Sequence, residues 1–477
     1  MIDTQTSARS GTRADRRPAA SVEAQGAARR HGRIVRSCRP ALVAFLAAFV
    51  LAAVLAGAAI PAPARALSYP DVKNTQWARA YIAWVTDQTA GGQHLLDDFA
   101  GVAFKPSDPL TRAQLARVLV LAAKRQDVAF TPVALSDVPP DHPYYNDIQR
   151  ALKLGLMSAV GDAFHPDDPV LVWEADKAAV LTLKLLNPKA DWSMLSKLDP
   201  VRWRPNDGWR PPAPRYFSSE VAARYLNLRF NHPYGSEQLE MFPTEPIRRD
   251  EMAYTVYALL HVSSWQVSSL SRFDNVQFPP MSDRQKEIVG FALRYEGYPF
   301  VYAGEYPTPN SPYGYQAHGG FDCSGFDWWV MKIHFGYPIS VNQRTAAAMA
   351  TAAKPRITRA NLQAADLIFF GPLGPKSNPS TIYHAALYLG NGWFINSTGS
   401  TDGVSLASLD WQGWGWNTDF TWGRRLLKAT ELPPAPAPIP SPSPSPSPSP
   451  SPSPSSSSSP SPSPSPSPSP SPSGSPR

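Results

Sequence analysis

The sequence predicts a multidomain chain: an all-α array of repeats, then an α+β domain, then a low-complexity tail. Three observations carry this. A helix–loop–helix frame recurs, with Phe104, Pro106 and Pro109 matched by Phe164, Pro166 and Pro169 sixty residues later. Near Arg284 the apolar spacing changes from helical to alternating, with more aromatics and glycine. Residues 431–477 are dominated by Ser-Pro, which favours solvated polyproline II and cannot build a core, so a disordered tail is expected.

The first 66 residues form their own segment. They hold ten arginines and three acids. Removing them takes 45 basic and 38 acidic groups to 35 of each, so the remainder is formally neutral. The excess charge of +7 therefore belongs to the leader, and no nucleic-acid surface is implied. Residues 41–60, "ALVAFLAAFVLAAVLAGAAI", carry no charge and are followed by "PAPARA". Basic region, apolar region and small-residue site are the order of a secretory signal. The run is also long enough for a retained anchor, the one case in which a membrane partner is expected. An exported, cell-wall or cell-surface protein follows. Of the two cysteines, Cys38 lies in the leader, so Cys323 is left alone and no disulfide framework is expected. Metal-ligand signatures are absent, and no metal or cofactor is expected.

The repeats divide as 67–127, 128–190 and a degenerate 191–265. In the first, Trp77, Tyr81, Ile82 and Val85 have helical spacing. Thr111-x-x-Gln114 is a capping box ahead of the stripe Leu115, Val118, Leu119 and Ala122. No unit can bury its apolar face alone, so the copies are expected to pack around a shared core. This pattern resembles S-layer homology repeats, which occur as triplets and bind secondary cell-wall polymers. The resemblance carries the family's wall-binding arginine onto Arg112 in "TRAQ" and Arg249 in "RRDE", whereas "LVWE" in the second copy has lost it. It carries the family's early Asp and Trp onto Asp71 and Trp77.

In the α+β part, "DRQKEIVGFALRYEG" reads as a helix and "SGFDWWVMKIHFG" as a second, closed by Gly336. Cys323 falls at the start of that second helix, where free N–H groups and the dipole favour a thiolate. A nucleophile there needs a base. His318 lies in a loop, and His334 is about 16 Å down the helix axis at 1.5 Å per residue. His384 opens "YHAALYLGNGWFINSTG", a strand–turn–strand signal. A three-residue loop at 390–392 places Asn396 diagonally beside His384, whereas a two-residue Asn-Gly turn flips the parity and offers Ser397.

Together "GGFDCSGF", "ADLIFF" and "YHAALYLGNGWFINSTG" resemble the NlpC-type cysteine peptidase family of bacterial cell-wall hydrolases, over about residues 283–430. The resemblance implies a papain-like α+β fold in which a cysteine helix packs on an antiparallel sheet. It implies Cys323 as nucleophile, His384 as base and Asn396 as the orienting third residue. It also implies that Asp322 and Ser324 help bind the stem peptide's free amine. Phe300 stands where relatives place a tyrosine, with Tyr302 close by as a substrate contact. The expected function is a wall-tethered peptidoglycan hydrolase that cuts stem-peptide amide bonds between D-glutamate and a diamino acid. Its expected partners are peptidoglycan stem peptides and, through the repeats, a secondary cell-wall polymer. The alternatives are acyl transfer or amidase chemistry on another wall component, and a non-catalytic surface-layer protein.

Overall fold

The computed structural model describes residues 69–90, 92–96, 103–198, 209–312 and 314–434. The expected signal segment and nearly all of the expected tail lie outside the described residues, as does 199–208 within the third repeat.

Among the described residues the repeats hold six longer helices, α1 (Arg79–Asp87), α2 (Arg112–Ala122), α3 (Tyr145–Lys153), α4 (Val172–Leu186), α5 (Phe217–Tyr225) and α6 (Arg249–His261), besides a single turn at Met194–Lys197. The cap of the second helix weakens along the copies, and α6 has no side-chain cap bond at all. In α2 the Thr111 hydroxyl accepts from Gln114 N–H, and Gln114 Oε1 accepts from Thr111 N–H. This is the reciprocal capping box expected from the spacing. In α4, Leu171 has no acceptor, and only the return bond from its N–H to Glu174 Oε2 remains, at 3.1 Å. The all-α description needs one amendment. Thr89–Ala90 pairs antiparallel with Gln93–His94 in a short β-ladder after α1.

The three copies close into a ring through their cap segments. Leu110 N–H donates to Ile247 O at 2.9 Å, Ile247 N–H to Val170 O at 2.7 Å, and Val170 N–H to Leu110 O at 2.9 Å. All three side chains are fully buried. Each copy thus satisfies the open backbone groups of the next, which explains why no copy stands alone.

The third copy differs in where its other face goes. Phe217 and Val221 of α5 share one apolar cluster with Phe321, Phe326, Phe394 and Val404 of the following α+β part. Copies one and two contribute mainly to a separate cluster around Leu115, Leu119, Ile148 and Val172. A buried ion network reinforces the join. Arg224 of α5 donates Nε to Glu220 at 3.0 Å, Nη1 to Asp402 at 2.7 Å, and Nη2 to the Gly297 carbonyl. Asp402 and Gly297 belong to the α+β part. Nearby, Arg229 lies 3.9 Å from Asp176 and 3.7 Å from Glu251.

The α+β part holds helix α7 (Asp283–Leu293), helix α8 (Cys323–Asp327) and a five-stranded sheet. The strands are β1 (Leu367–Phe370), β2 (His384–Gly390), β3 (Trp393–Thr398), β4 (Gly403–Ser408) and β5 (Phe420–Arg424). Their order is β4-β3-β2-β1-β5, with every neighbouring pair antiparallel. Helix α8 packs on β2 and β3, then continues as π-helix over Trp328–His334. All of β2, and all of β3 except Thr398, is buried, so these two strands are covered on both faces and do not show the in–out alternation expected from sequence.

Candidate active site

Cys323 opens α8 because Asp322 caps it. Asp322 Oδ1 accepts from Gly325 N–H at 2.6 Å. Its carboxylate is held in turn by Arg344, through Nη1 at 3.0 Å and Nη2 at 3.3 Å. Gly325 has to be glycine. A Cβ there would strike the Gly304 carbonyl and the Arg344 guanidinium.

His384 opens β2 and Asn396 sits near the end of β3. His384 Nε2 and Asn396 Oδ1 are 2.8 Å apart. The amide's orientation is fixed, because its Nδ2 donates to the Ser405 carbonyl at 3.1 Å. Oδ1 can only accept, so His384 carries its proton on Nε2 and keeps Nδ1 as the free base. Trp416 covers the pair, its ring centroid 5.2 Å from that of His384.

The choice between Asn396 and Ser397 is resolved by a bulge. The turn has two residues, Asn391 and Gly392, both at positive φ. Alone it would bring Ser397 to the imidazole. The register slips by one between Tyr388 and Gly390, and Leu387 pairs with Ile395, which restores the parity that selects Asn396. Gly390 makes the slip possible at φ +103°, where an added Cβ would also strike Pro279. Ser397 is engaged elsewhere. Its hydroxyl donates to the Phe321 carbonyl at 2.6 Å, holding the segment just before the cysteine.

Cys323 and His384 line one cleft of about 700 Å³, with Asp322, Ser324, Phe300, Tyr302, Glu305 and Arg344 among its walls. Its electrostatics differ from the expectation of a thiolate at rest. Burial, then the charge of Asp322, pushes the Cys323 thiol up to about 12, against weaker help from the backbone at Ala385 and Ser324. Burial also lowers His384 to about 4, with the Asn396 hydrogen bond opposing it. The resting pair is therefore a neutral thiol beside a neutral imidazole. A five-residue helix start does not outweigh this desolvation.

The other histidines lie elsewhere. His334 stacks on Phe291 at 3.5 Å, and His318 bonds the Gly319 carbonyl. Of the expected substrate contacts, Tyr302 and Ser324 are on the cleft wall. Asp322 is there too, but its oxygens are already taken by the helix start, Ser324 and Arg344. Arg344 was not anticipated from sequence. Besides Asp322 it bridges Glu305 at 2.6 Å, Ser324 Oγ at 3.0 Å and the Gly304 carbonyl at 2.9 Å. An arginine in a loop about twenty residues after the nucleophile carries no local signal of this role.

The residues expected to bind wall polymer gather at junctions between copies. Asp71 accepts from Phe104 N–H at 3.0 Å and Lys105 N–H at 2.6 Å. Asp137 repeats this in copy two with Phe164 and His165. Arg112 is 8% exposed. It lies over the Phe164 ring and donates to the Phe164 and Ser158 carbonyls, both at 2.8 Å. Arg249, 4% exposed, lies over the Phe104 ring. Trp77 stacks on Phe230 at 4.5 Å and donates to Asp250 at 3.2 Å. Asp71 and Arg249 thus meet at Phe104, whereas Arg112 serves the next junction.

A thiol and an imidazole in one cleft, the ring fixed by a carboxamide, define the class of cysteine–histidine acyl-transfer sites. Comparison with known proteins narrows this. Residues 297–422 match the NlpC/P60 family and residues 134–171 match the S-layer homology domain, so the chain contains a domain of each. It is 31% identical over 127 residues to Protein P54 of Enterococcus faecium, covering 26% of this chain and 20% of that protein. It is 32% identical over 128 residues to the bifunctional muramidase/DL-endopeptidase CwlT of Bacillus subtilis (27% and 32% covered). A gamma-D-glutamyl-L-lysine dipeptidyl-peptidase of Bacillus cereus is 24% identical over 168 residues (35% and 45% covered). The chain thus spans under half the length of each of these relatives. Among solved structures, an NlpC/P60 family protein from Bacillus cereus is 24% identical, covering 32% of this chain and 42% of that one, with a TM-score of 0.24.

Proposed function

We propose that this chain is a cell-wall hydrolase that cuts an amide bond of the peptidoglycan stem peptide, between D-glutamate and a diamino acid, while its repeats hold it on a wall polymer at the cell surface. The observation that carries the reading is the His384–Asn396 hydrogen bond, which leaves Nδ1 as a free base in the cleft that also holds Cys323. The NlpC/P60 match and the activities in the relatives' names supply the substrate class.

In this mechanism the substrate carbonyl reaches Cys323 Sγ. His384 Nδ1 takes the thiol proton as sulfur attacks, so a neutral pair becomes thioester-forming only with substrate in place. The developing oxyanion is held by the Cys323 backbone N–H at the helix start. The imidazolium gives its proton to the leaving amine. Water, activated by the same ring, then cleaves the thioester. Asn396 keeps the ring oriented and supports its transient charge. Asp322, Ser324 and Arg344 act as struts of the cysteine loop, since the Ser324 hydroxyl donates to Asp322 and accepts from Arg344, while Tyr302 faces substrate.

Incubating defined stem peptides with the wild type and with Cys323→Ala tests this. Cleavage by the first and none by the second is expected. Uncleaved peptides with retained wall binding would instead make the chain a surface-binding protein.

A further inference from the structure

The third repeat touches the edge of the cleft without lining it, through a contact with the cleft residue Tyr302. Tyr234 belongs to the loop between α5 and α6, in the third repeat. It is 81% exposed, and its ring sits edge-on to Tyr302, 63% exposed, with centroids 5.3 Å apart. Tyr302 lines the cleft of Cys323. Close by, Asn231 and Phe300 both approach Gly399, another cleft residue, so that an added Cβ there would meet Asn231 Nδ2 at 3.1 Å and Phe300 at 3.5 Å. The third repeat therefore borders the cleft at Tyr302 and Gly399.

The turn that presents Tyr234 is rigid. Ser236 N–H donates to the Pro233 carbonyl at 2.9 Å, and Glu237 accepts from Gly235 N–H at 2.7 Å. Gly235 takes φ +91°. On the inner side, His232 is buried against Glu251 at 2.8 Å and against the edge of Trp77. Tyr234 on this hydrogen-bonded turn and Tyr302 on a loop of the α+β part together expose aromatic surface and hydroxyls beside the cleft, which is how proteins hold amphipathic ligands. Neither hydroxyl has a hydrogen-bond partner among the described residues.

We infer that Tyr234 and Tyr302 form a subsite for a pyranose ring, so that the enzyme prefers a stem peptide still attached to its amino sugar over a free stem. A sugar offers C–H faces for the rings and hydroxyl or N-acetyl groups for the tyrosine hydroxyls. This rests on the hydrolase reading above for its substrate but not for its test. Binding is measured by calorimetry on full-length Cys323→Ala, with and without Tyr234→Ala or Tyr234→Phe. The probes are a disaccharide-linked stem peptide and the same peptide without sugar. Tyr234→Ala is expected to weaken the linked probe about five- to tenfold, the scale of a lost aromatic contact, and the free peptide much less. Tyr234→Phe, which keeps the π-face, stays within about twofold. Equal weakening of both probes, no weakening, or no binding of the linked probe overturns the subsite. A Tyr234-dependent preference in a wild type that cleaves neither probe would overturn the hydrolase reading and leave the subsite standing.

Discussion

Copies one and two of the repeat are built alike, and copy three is not. In the first two, a carboxylate (Asp71 or Asp137) ties two successive backbone N–H groups at the Phe-x-Pro turn. Copy three has kept its place in the hydrogen-bonded ring but has no such carboxylate at Phe242, where Glu245 takes the N–H instead. Its first helix packs on α4 of copy two and also on β4 of the α+β part, and its Arg224 pairs with Asp402 there. A degenerate repeat in sequence is thus a shared element in structure. Drift from the repeat pattern marks residues recruited to a second set of contacts.

The comparison can be broken most forcefully at Arg224. Arg224→Ala strands Glu220 and Asp402 in the interior, and a cost of about 3–5 kcal/mol is expected. Because the join is shared, repeats and hydrolase should lose stability together in thermal unfolding. Separate transitions, with the hydrolase unmoved, would show two independent bodies. Asn396→Ala acts inside the hydrolase alone. It is expected to lower kcat about a hundredfold, within the usual range for acid–base catalysis, and to cost about 1–3 kcal/mol of stability from the partners left unpaired at His384 and the Ser405 carbonyl. Arg112→Ala, at the junction of copies one and two, removes donors from the buried Phe164 carbonyl and the more exposed Ser158 carbonyl and is expected to cost about 1–3 kcal/mol. Peptide cleavage at low temperature should be unaffected. Wall binding that falls while the repeats stay folded would make Arg112 a direct ligand.

The smallest effect is a shift of pH dependence. His384 is lowered to about 4, so the ring is neutral and competent above that value. The acid limb of kcat/KM should therefore lie near pH 4–5, not near the ordinary histidine value of about 6.5. Asn396 raises the ring's pKa, so the residual activity of Asn396→Ala should keep its acid limb at still lower pH. Cys323, pushed up to about 12, should react slowly with iodoacetamide at pH 7. Rapid alkylation there would show a resting thiolate.

Much of this is legible in the chain. Period and caps place the helices, and "DCSG" with "YHAALYLGNGWFINSTG" locates the cysteine, histidine and hairpin. What stays hidden needs the third dimension. Asn396 depends on a bulge at Gly390 that no local rule demands. Arg344 lines the cleft from a loop, and Tyr234 meets the cleft residue Tyr302 from the third repeat. The Cys323 shift runs opposite to the expectation because helix position is visible in sequence and burial is not. Arg112 and Asp71 read as ligands, but their polar atoms are engaged inside the ring of copies, a use that the same motif can serve.

The central claim is that Cys323 cleaves the stem peptide of peptidoglycan with His384 as its base. The most direct test is a digest of purified peptidoglycan by the full-length wild type and by Cys323→Ala, with the fragments read by mass spectrometry. The account predicts new termini between D-glutamate and the diamino acid in the wild-type digest and none in the Cys323→Ala digest. Identical digests from the two proteins would contradict it.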